Sequence, residues 1–166
     1  MKLRVLALLF LIPALTYAQG KYATGLMKNL VGKQFTDSVN LPALKGYQFR
    51  HGALISPYKD SNRIVAAVYQ KGSTVVAIVS YLKDSSKKIY QVLDVLEIKN
   101  VEKSWQLRTA LCRLNQLDDT EIFALAKKGK GDYLDEVKLA WRFSLKYRFF
   151  QSIDVKGIDC FNEGGD

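Results

Sequence analysis

The sequence predicts a mainly β (α+β) fold: an antiparallel meander of about seven strands, forming a curled sheet or an open barrel, with one short N-terminal helix. Three observations predict it. Short runs of β-branched and apolar residues recur from Arg63 onward, the composition that strands favour. Turn residues separate these runs at short intervals, so neighbours fold back antiparallel, and no interval holds the crossover helix that a parallel pair needs. Val137, Leu139, Trp141 and Phe143 alternate with Lys138, Ala140, Arg142 and Ser144, the period of a strand with one face buried and one wet.

At the N-terminus, Lys2 and Arg4 precede an apolar run from Val5 to Leu15, and Thr16-Tyr17-Ala18 places small residues at the first and third positions of a triplet. These are the three parts of a cleavable secretory signal. Residues 1–18 are therefore expected to be removed, leaving Gln19 first and a single β-rich domain over 19–166. The run is shorter than the roughly 20 residues that cross a bilayer as a helix.

Residues 21–32 read as the short helix, with Tyr22, Leu26, Met27 and Leu30 on one face and Gly32 as its stop. From Gln34 to Asn62 the pattern is weak and broken by Pro42, Gly46, Gly52 and Pro57, so loop with short extended pieces is expected. Phe35, Tyr47, Phe49 and Leu54 tuck this segment onto the core. Ile64 to Tyr69 and Thr74 to Leu82 form a hairpin about Gly72-Ser73, a tight-turn pair. Asp84-Ser85-Ser86 turns the chain into a long strand, Lys88 to Ile98. Residues 99–106 connect it to Leu107–Leu114. A polar turn, Asn115 to Thr120, leads to Glu121–Lys127. Val137–Ser144 and Phe149–Val155 complete the seven, and Ile158-Asp159-Cys160 precedes a polar tail.

The chain has 25 Lys and Arg against 16 Asp and Glu, a formal charge of +9. The signal holds two of the basic residues and no acid, so the mature charge is +7. A basic exported domain points to an anionic neighbour at the cell envelope, or to a protein partner; nucleic acid is not the expected partner. Two cysteines, Cys112 and Cys160, both fall in the mature part. Export and the even count favour a disulfide that pins the last segment to an interior strand, with two free thiols as the alternative.

Candidate chemistry is sparse. The single histidine, His51, has neither a nucleophile nor an orienting acid beside it in sequence, and multi-histidine metal sites are excluded. Asp94 is set in Val92-Leu93-Asp94-Val95-Leu96, so a strand buries it. A buried carboxylate needs partners: backbone amides or an arginine on one reading, a carboxylate pair with Glu97 or Glu121 on another. Asn115 to Ile122 has some features of a calcium loop, but Arg113 and Leu117 occupy positions where acids are required. Lys127, Lys128, Lys130 and Tyr133 sit in a glycine-containing basic loop able to touch an anion or partner. Trp105 and Trp141 suit a ligand groove or the core. No phosphate loop, dinucleotide fingerprint or nucleophile elbow is present, and no cofactor or metal is expected.

Several stretches carry a resemblance: Leu93-Asp94-Val95-Leu96-Glu97-Ile98, the Cys112 strand, Asp119-Thr120-Glu121-Ile122, Ala140-Trp141-Arg142 and Lys156-Gly157-Ile158-Asp159-Cys160-Phe161-Asn162-Glu163-Gly164. Over residues 40–166 the chain resembles a group of small exported Gram-negative proteins with no assigned activity. The resemblance implies export and a structural disulfide, and brings no catalytic residues. The polar turn before Glu121-Ile122 and the loop Gly129-Lys130-Gly131-Asp132-Tyr133 are also similar to periplasmic lysozyme inhibitors.

Together these features imply a secreted or periplasmic, non-enzymatic binding domain. Inhibition of a cell-wall hydrolase through residues 129–133 comes second, because lysozymes are typically basic and repel a basic partner. A hydrolase with paired carboxylates comes third.

Overall fold

The structure, a computed structural model, describes residues 19–55 and 63–163. The expected signal, residues 1–18, lies outside the described residues, as does part of the expected loop, residues 56–62.

Among the described residues there are one α-helix, α1 (Gly25–Lys28), and thirteen strands. The first five are β1 (Gln34–Phe35), β2 (Gln48–Leu54), β3 (Ile64–Lys71), β4 (Thr74–Asp84) and β5 (Ile89–Ile98). Next come β6 (Trp105–Thr109), β7 (Cys112–Leu114), β8 (Leu117–Asp119) and β9 (Ile122–Lys127). The last four are β10 (Tyr133–Leu134), β11 (Val137–Ser144), β12 (Phe149–Ile153) and β13 (Ile158–Phe161). They form three antiparallel sheets, ordered β1-β5-β4-β3-β2, β12-β11-β9-β6 and β10-β13-β7-β8. No barrel closes.

The sheets stack in layers, and the apolar clusters between them show the order. The first and second sheets enclose the largest core, which joins Val68, Val75, Val79 and Leu96 to Leu107, Phe123, Phe143 and Phe150. The outer face of the first sheet is covered by Ala23, Met27, Leu30, Leu41 and Leu44 of the N-terminal segment. The outer face of the second packs Ile122, Ala124 and Ala140 against Cys112, Ile158 and Cys160 of the third. Central strands are thus covered on both faces, which is why Val75–Ser80 and Ile122–Ala126 are buried without interruption. Phe150 sits edge-on to Phe123 and Phe143, with centroids 4.8 and 5.3 Å away. Each such pair adds about 1 kcal/mol beyond its buried area.

The β-rich fold with one helix matches the sequence expectation, but several details differ. The helix is four residues long rather than spanning 21–32, because Thr24 is extended and Gly25 turns at φ +50°. Residues before it are drawn along β5 instead, where the Tyr22 carbonyl accepts the Glu97 N–H at 2.8 Å. The expected strand Leu107–Leu114 is two strands, broken at Ala110, whose φ is +59°. The break lets β6 join the second sheet while β7 joins the third. Within the weakly patterned region, β2 is a full strand paired with β3. The polar turn contains β8, folded back on β7 about Asn115-Gln116, both at positive φ, as a type I′ turn requires. The Gly72-Ser73 hairpin is present, with Lys71 opposite Thr74.

Cys112 and Cys160 form a disulfide, their Cα atoms 3.9 Å apart. They are register partners on β7 and β13, so the bridge fastens the last strand inside the third sheet. A disulfide fits an oxidising compartment such as the periplasm or the extracellular space. Among the described residues, no helix is long and apolar enough to cross a membrane.

Candidate functional site: a cationic cleft between two sheet edges

The two large sheets are joined along one side and open along the other. β12, an edge of the second sheet, lies beside β5 of the first. There the buried Asp94 accepts three backbone N–H bonds, from Gly20 at 2.6 Å, Val95 at 2.9 Å and Phe150 at 2.8 Å. Burial raises its pKa, and the three amides oppose that rise. Asp94 is therefore a structural clamp between β5, β12 and the N-terminal segment. It and Glu97 are three residues apart on β5 and face opposite sides of the sheet. Glu97 instead accepts from the Thr24 hydroxyl at 2.7 Å.

On the other side, β2 and β6 are the free edges of their sheets. Between them lies a cleft of about 550 Å³. Its lining includes Arg50 and His51 of β2, Gln70 of β3, Trp105 and Arg108 of β6, and Lys103 and Lys128 from flanking segments. Consecutive residues of a regular strand point to opposite faces. Arg50 and His51 both line the cleft because β2 bulges there: Phe49 faces Tyr69, while His51 faces Val68. The bulge leaves Arg50 as the extra residue, re-aimed as such residues commonly are. Its Nε donates to Gln70 Oε1 at 3.1 Å, and Gln70 is held in turn by the Gly72 carbonyl at 3.0 Å.

Arg108 is the least solvated cation of the cleft, only 9% exposed. Its Nη2 donates to the Phe161 carbonyl at 2.6 Å, with Glu163 3.8 Å away. Its Nε is buried and has no partner. Buried N–H groups are nearly always paired, and burial draws the guanidinium pKa down. His51 is half-buried, and its pKa is lowered first by burial and then by the Arg108 charge. Among the described residues no acid lines the cleft; Glu163 stands near Arg108 and acts electrostatically on His51.

The basic loop expected from the sequence is divided. Lys128 lines the cleft, and its N–H donates to the Ser104 carbonyl at 2.8 Å. Lys127 is paired with Glu136 at 2.9 Å. Lys130 is exposed. Tyr133 packs edge-on to Phe161, with the Arg113 guanidinium 3.5 Å from its ring centroid. The loop is tied down further by Asn162 Nδ2, which donates to the carbonyls of Gly129 at 2.9 Å and Gly131 at 3.0 Å. In the calcium-like turn, the Asp119 carboxylate is taken by Arg142 and by the Glu121 N–H. Trp141 is core, whereas Trp105 lines the cleft.

Sequence reasoning missed Arg50, Lys103 and Arg108 as site residues. A usable signal existed for one of them. Arg108 stands between Leu107 and Thr109 in a strand, the same anomaly that singled out Asp94. No family model, curated protein or solved structure matches this chain.

Proposed function

We propose that this protein is an exported, non-enzymatic binding domain of the bacterial cell envelope, and that its ligand is an anion seated in the cleft between β2 and β6. One observation carries the reading: the buried Arg108 guanidinium in a cleft lined by three further cations and, among the described residues, by no acid. A buried charge without a full set of partners is costly. An anionic ligand offsets that cost by pairing with the guanidinium charge. The side chains lining the cleft offer no nucleophile paired with a base, so binding is the chemistry they support. The signal-like N-terminus supports export, as does the disulfide.

Calorimetry with inorganic pyrophosphate and with hexaglutamate tests the reading. Both bind the wild-type protein, and Arg108→Gln weakens both by about tenfold or more, the value of one charge-assisted hydrogen bond. Lys130→Gln leaves them unchanged. Equal binding by the wild type and Arg108→Gln refutes the assignment. Mass spectrometry of the exported product tests the processing, with Gln19 expected first and an intact Met1 refuting it.

A further inference from the structure

β2 ends the first sheet, and the ladder beside it shows which of its backbone groups are open. Lys71 and Thr74 are register partners flanking the two-residue turn Gly72-Ser73, so they form a hydrogen-bonded pair. By alternation, Ile64, Ala66 and Val68 turn their N–H and C=O groups to β2. The Ile55 N–H donates to the Ile64 carbonyl at 2.9 Å, in agreement. His51, Ala53 and Ile55 therefore bond to β3, whereas Gly52 and Leu54, opposite Ala67 and Val65, point their N–H and C=O groups away from it. Among the described residues, no backbone hydrogen bond outside the sheet ladders reaches Gly52 or Leu54. Gly52 is exposed, and the exposed surface of a glycine is backbone. The bulge at Arg50 bounds this open stretch on one side. On the other, the Ile55 carbonyl accepts the Thr120 hydroxyl at 3.0 Å.

The two faces of this edge differ in chemistry, because successive side chains alternate between them. His51 lines the cationic cleft with Arg50 and Arg108. Gly52 and Leu54 lie on the opposite face, where Phe35, Ala67, Tyr69 and Tyr90 join them around an apolar pocket of about 360 Å³. Gly52 and Ala67 are register partners, and neither carries a side chain large enough to fill that pocket.

We propose, building on the anion-binding reading, that the occupant is an extended peptide with alternating acidic and apolar side chains, added as a strand along His51–Leu54 of β2. Strand addition takes its affinity from main-chain hydrogen bonds and its specificity from alternate side chains. Peptide residues opposite Gly52 and Leu54 place apolar side chains over the pocket. The residue opposite His51 points to the cleft, where Arg50 and Arg108 match a carboxylate. A second copy of this chain is a poor occupant, since its own β2 carries no acid to meet those cations. A small anion or an acidic glycan pairs with the cations but leaves the Gly52 and Leu54 amides and the apolar pocket unused.

Three probes separate the cases: a blocked hexapeptide of alternating Val and Glu, its isomer with three Val followed by three Glu, and inorganic pyrophosphate. Affinity is read by calorimetry, and edge pairing from amide exchange at Gly52 and Leu54. The alternating peptide is expected to bind about tenfold or more tighter than its isomer, the scale of one or two net hydrogen bonds, and to slow exchange at both amides. Equal binding of the two peptides without that protection, with pyrophosphate still bound and sensitive to Arg108→Gln, overturns strand addition and leaves the anion site standing. Protection at Gly52 and Leu54 that rises with protein concentration in the absence of peptide identifies a second copy as the occupant and also overturns it. Failure of both peptides and pyrophosphate to bind overturns the strand and the anion readings together.

Discussion

The Phe150 N–H donates to the Asp94 carboxylate at 2.8 Å inside the protein, joining the edge of one sheet to the interior of another. This bond fixes which side of the sheet pair is shut, and so which side holds the cleft. Asp94→Ala leaves the amides of Gly20, Val95 and Phe150 without acceptors. Each unsatisfied buried group costs about 1–3 kcal/mol, so the variant is expected to lose roughly 3 kcal/mol or more in denaturant unfolding. A loss below 1 kcal/mol means that the clamp contributes little.

Asp94 also gives a pH signature. Its folded pKa is raised above the usual carboxylate value, so between the two values the folded protein holds more protons than the unfolded one. Its contribution to stability is therefore largest at acid pH and falls as pH rises through that window. Denaturant midpoints measured for the wild type and Asp94→Asn between about pH 3 and pH 7, a range that starts below the reference carboxylate pKa and runs above it, check the sign. The variant lacks this component of the pH dependence.

The neighbouring lysines Lys127 and Lys128 make opposite predictions. Lys128 faces the cleft, while Lys127 is paired with Glu136. Lys128→Gln is expected to weaken pyrophosphate binding roughly two- to fivefold, the scale of one partly solvated ion pair. Lys127→Gln leaves affinity unchanged. Calorimetry on the two variants distinguishes a site with defined walls from a diffuse basic surface.

His51 couples ligand binding to pH. Its pKa lies below the usual histidine value because of burial and the Arg108 charge; Glu163 opposes the shift. Arg50, Lys103 and Lys128 share the cleft with it. In the unliganded protein, acidification through the window below about 6.5, the reference histidine value, lowers stability, since the unfolded chain takes up the proton first. A bound anion favours protonated His51, so anion affinity rises as pH falls through the same window. His51→Gln flattens that rise, and titrations at stepped pH values measure it.

The disulfide closes a loop with a sequence separation of 48 residues. Chain-entropy arguments assign such a cross-link about 4 kcal/mol. The Cys112→Ser/Cys160→Ser double variant is expected to lose stability on that scale in urea unfolding, with the third sheet loosening first in hydrogen exchange. An unchanged midpoint contradicts this.

The sequence was most legible where covalent and local signals dominate. The long apolar strands, the Gly72-Ser73 turn and the cysteine pair are each local facts, and each has its structural counterpart; the alternation expected over 137–144 holds only for Lys138, Trp141 and Phe143, because a register shift follows Val137, leaving Leu139 exposed, and the third sheet covers Ala140. The layered arrangement was less visible, because strands buried on both faces lose the alternation that marks a face. β2 was hidden for a different reason: it is an edge strand with mostly exposed residues and a bulge that breaks its period. The cleft was least legible. Arg50, Lys103, Arg108 and Lys128 are scattered along the chain and meet only because two sheet edges face each other, a relation set by long-range pairing. Asp94 was visible as an anomaly, and its amide partners follow from the need to satisfy a buried carboxylate.

The most direct measurement follows the Arg108 Nε–H by nuclear magnetic resonance during titration with pyrophosphate. If the cleft is the anion site, this resonance shifts at the same midpoint as the Trp105 signals, while Lys127 and Lys130 stay unchanged. An Arg108 Nε–H indifferent to the anion, with responses spread over the exposed lysines, contradicts the account.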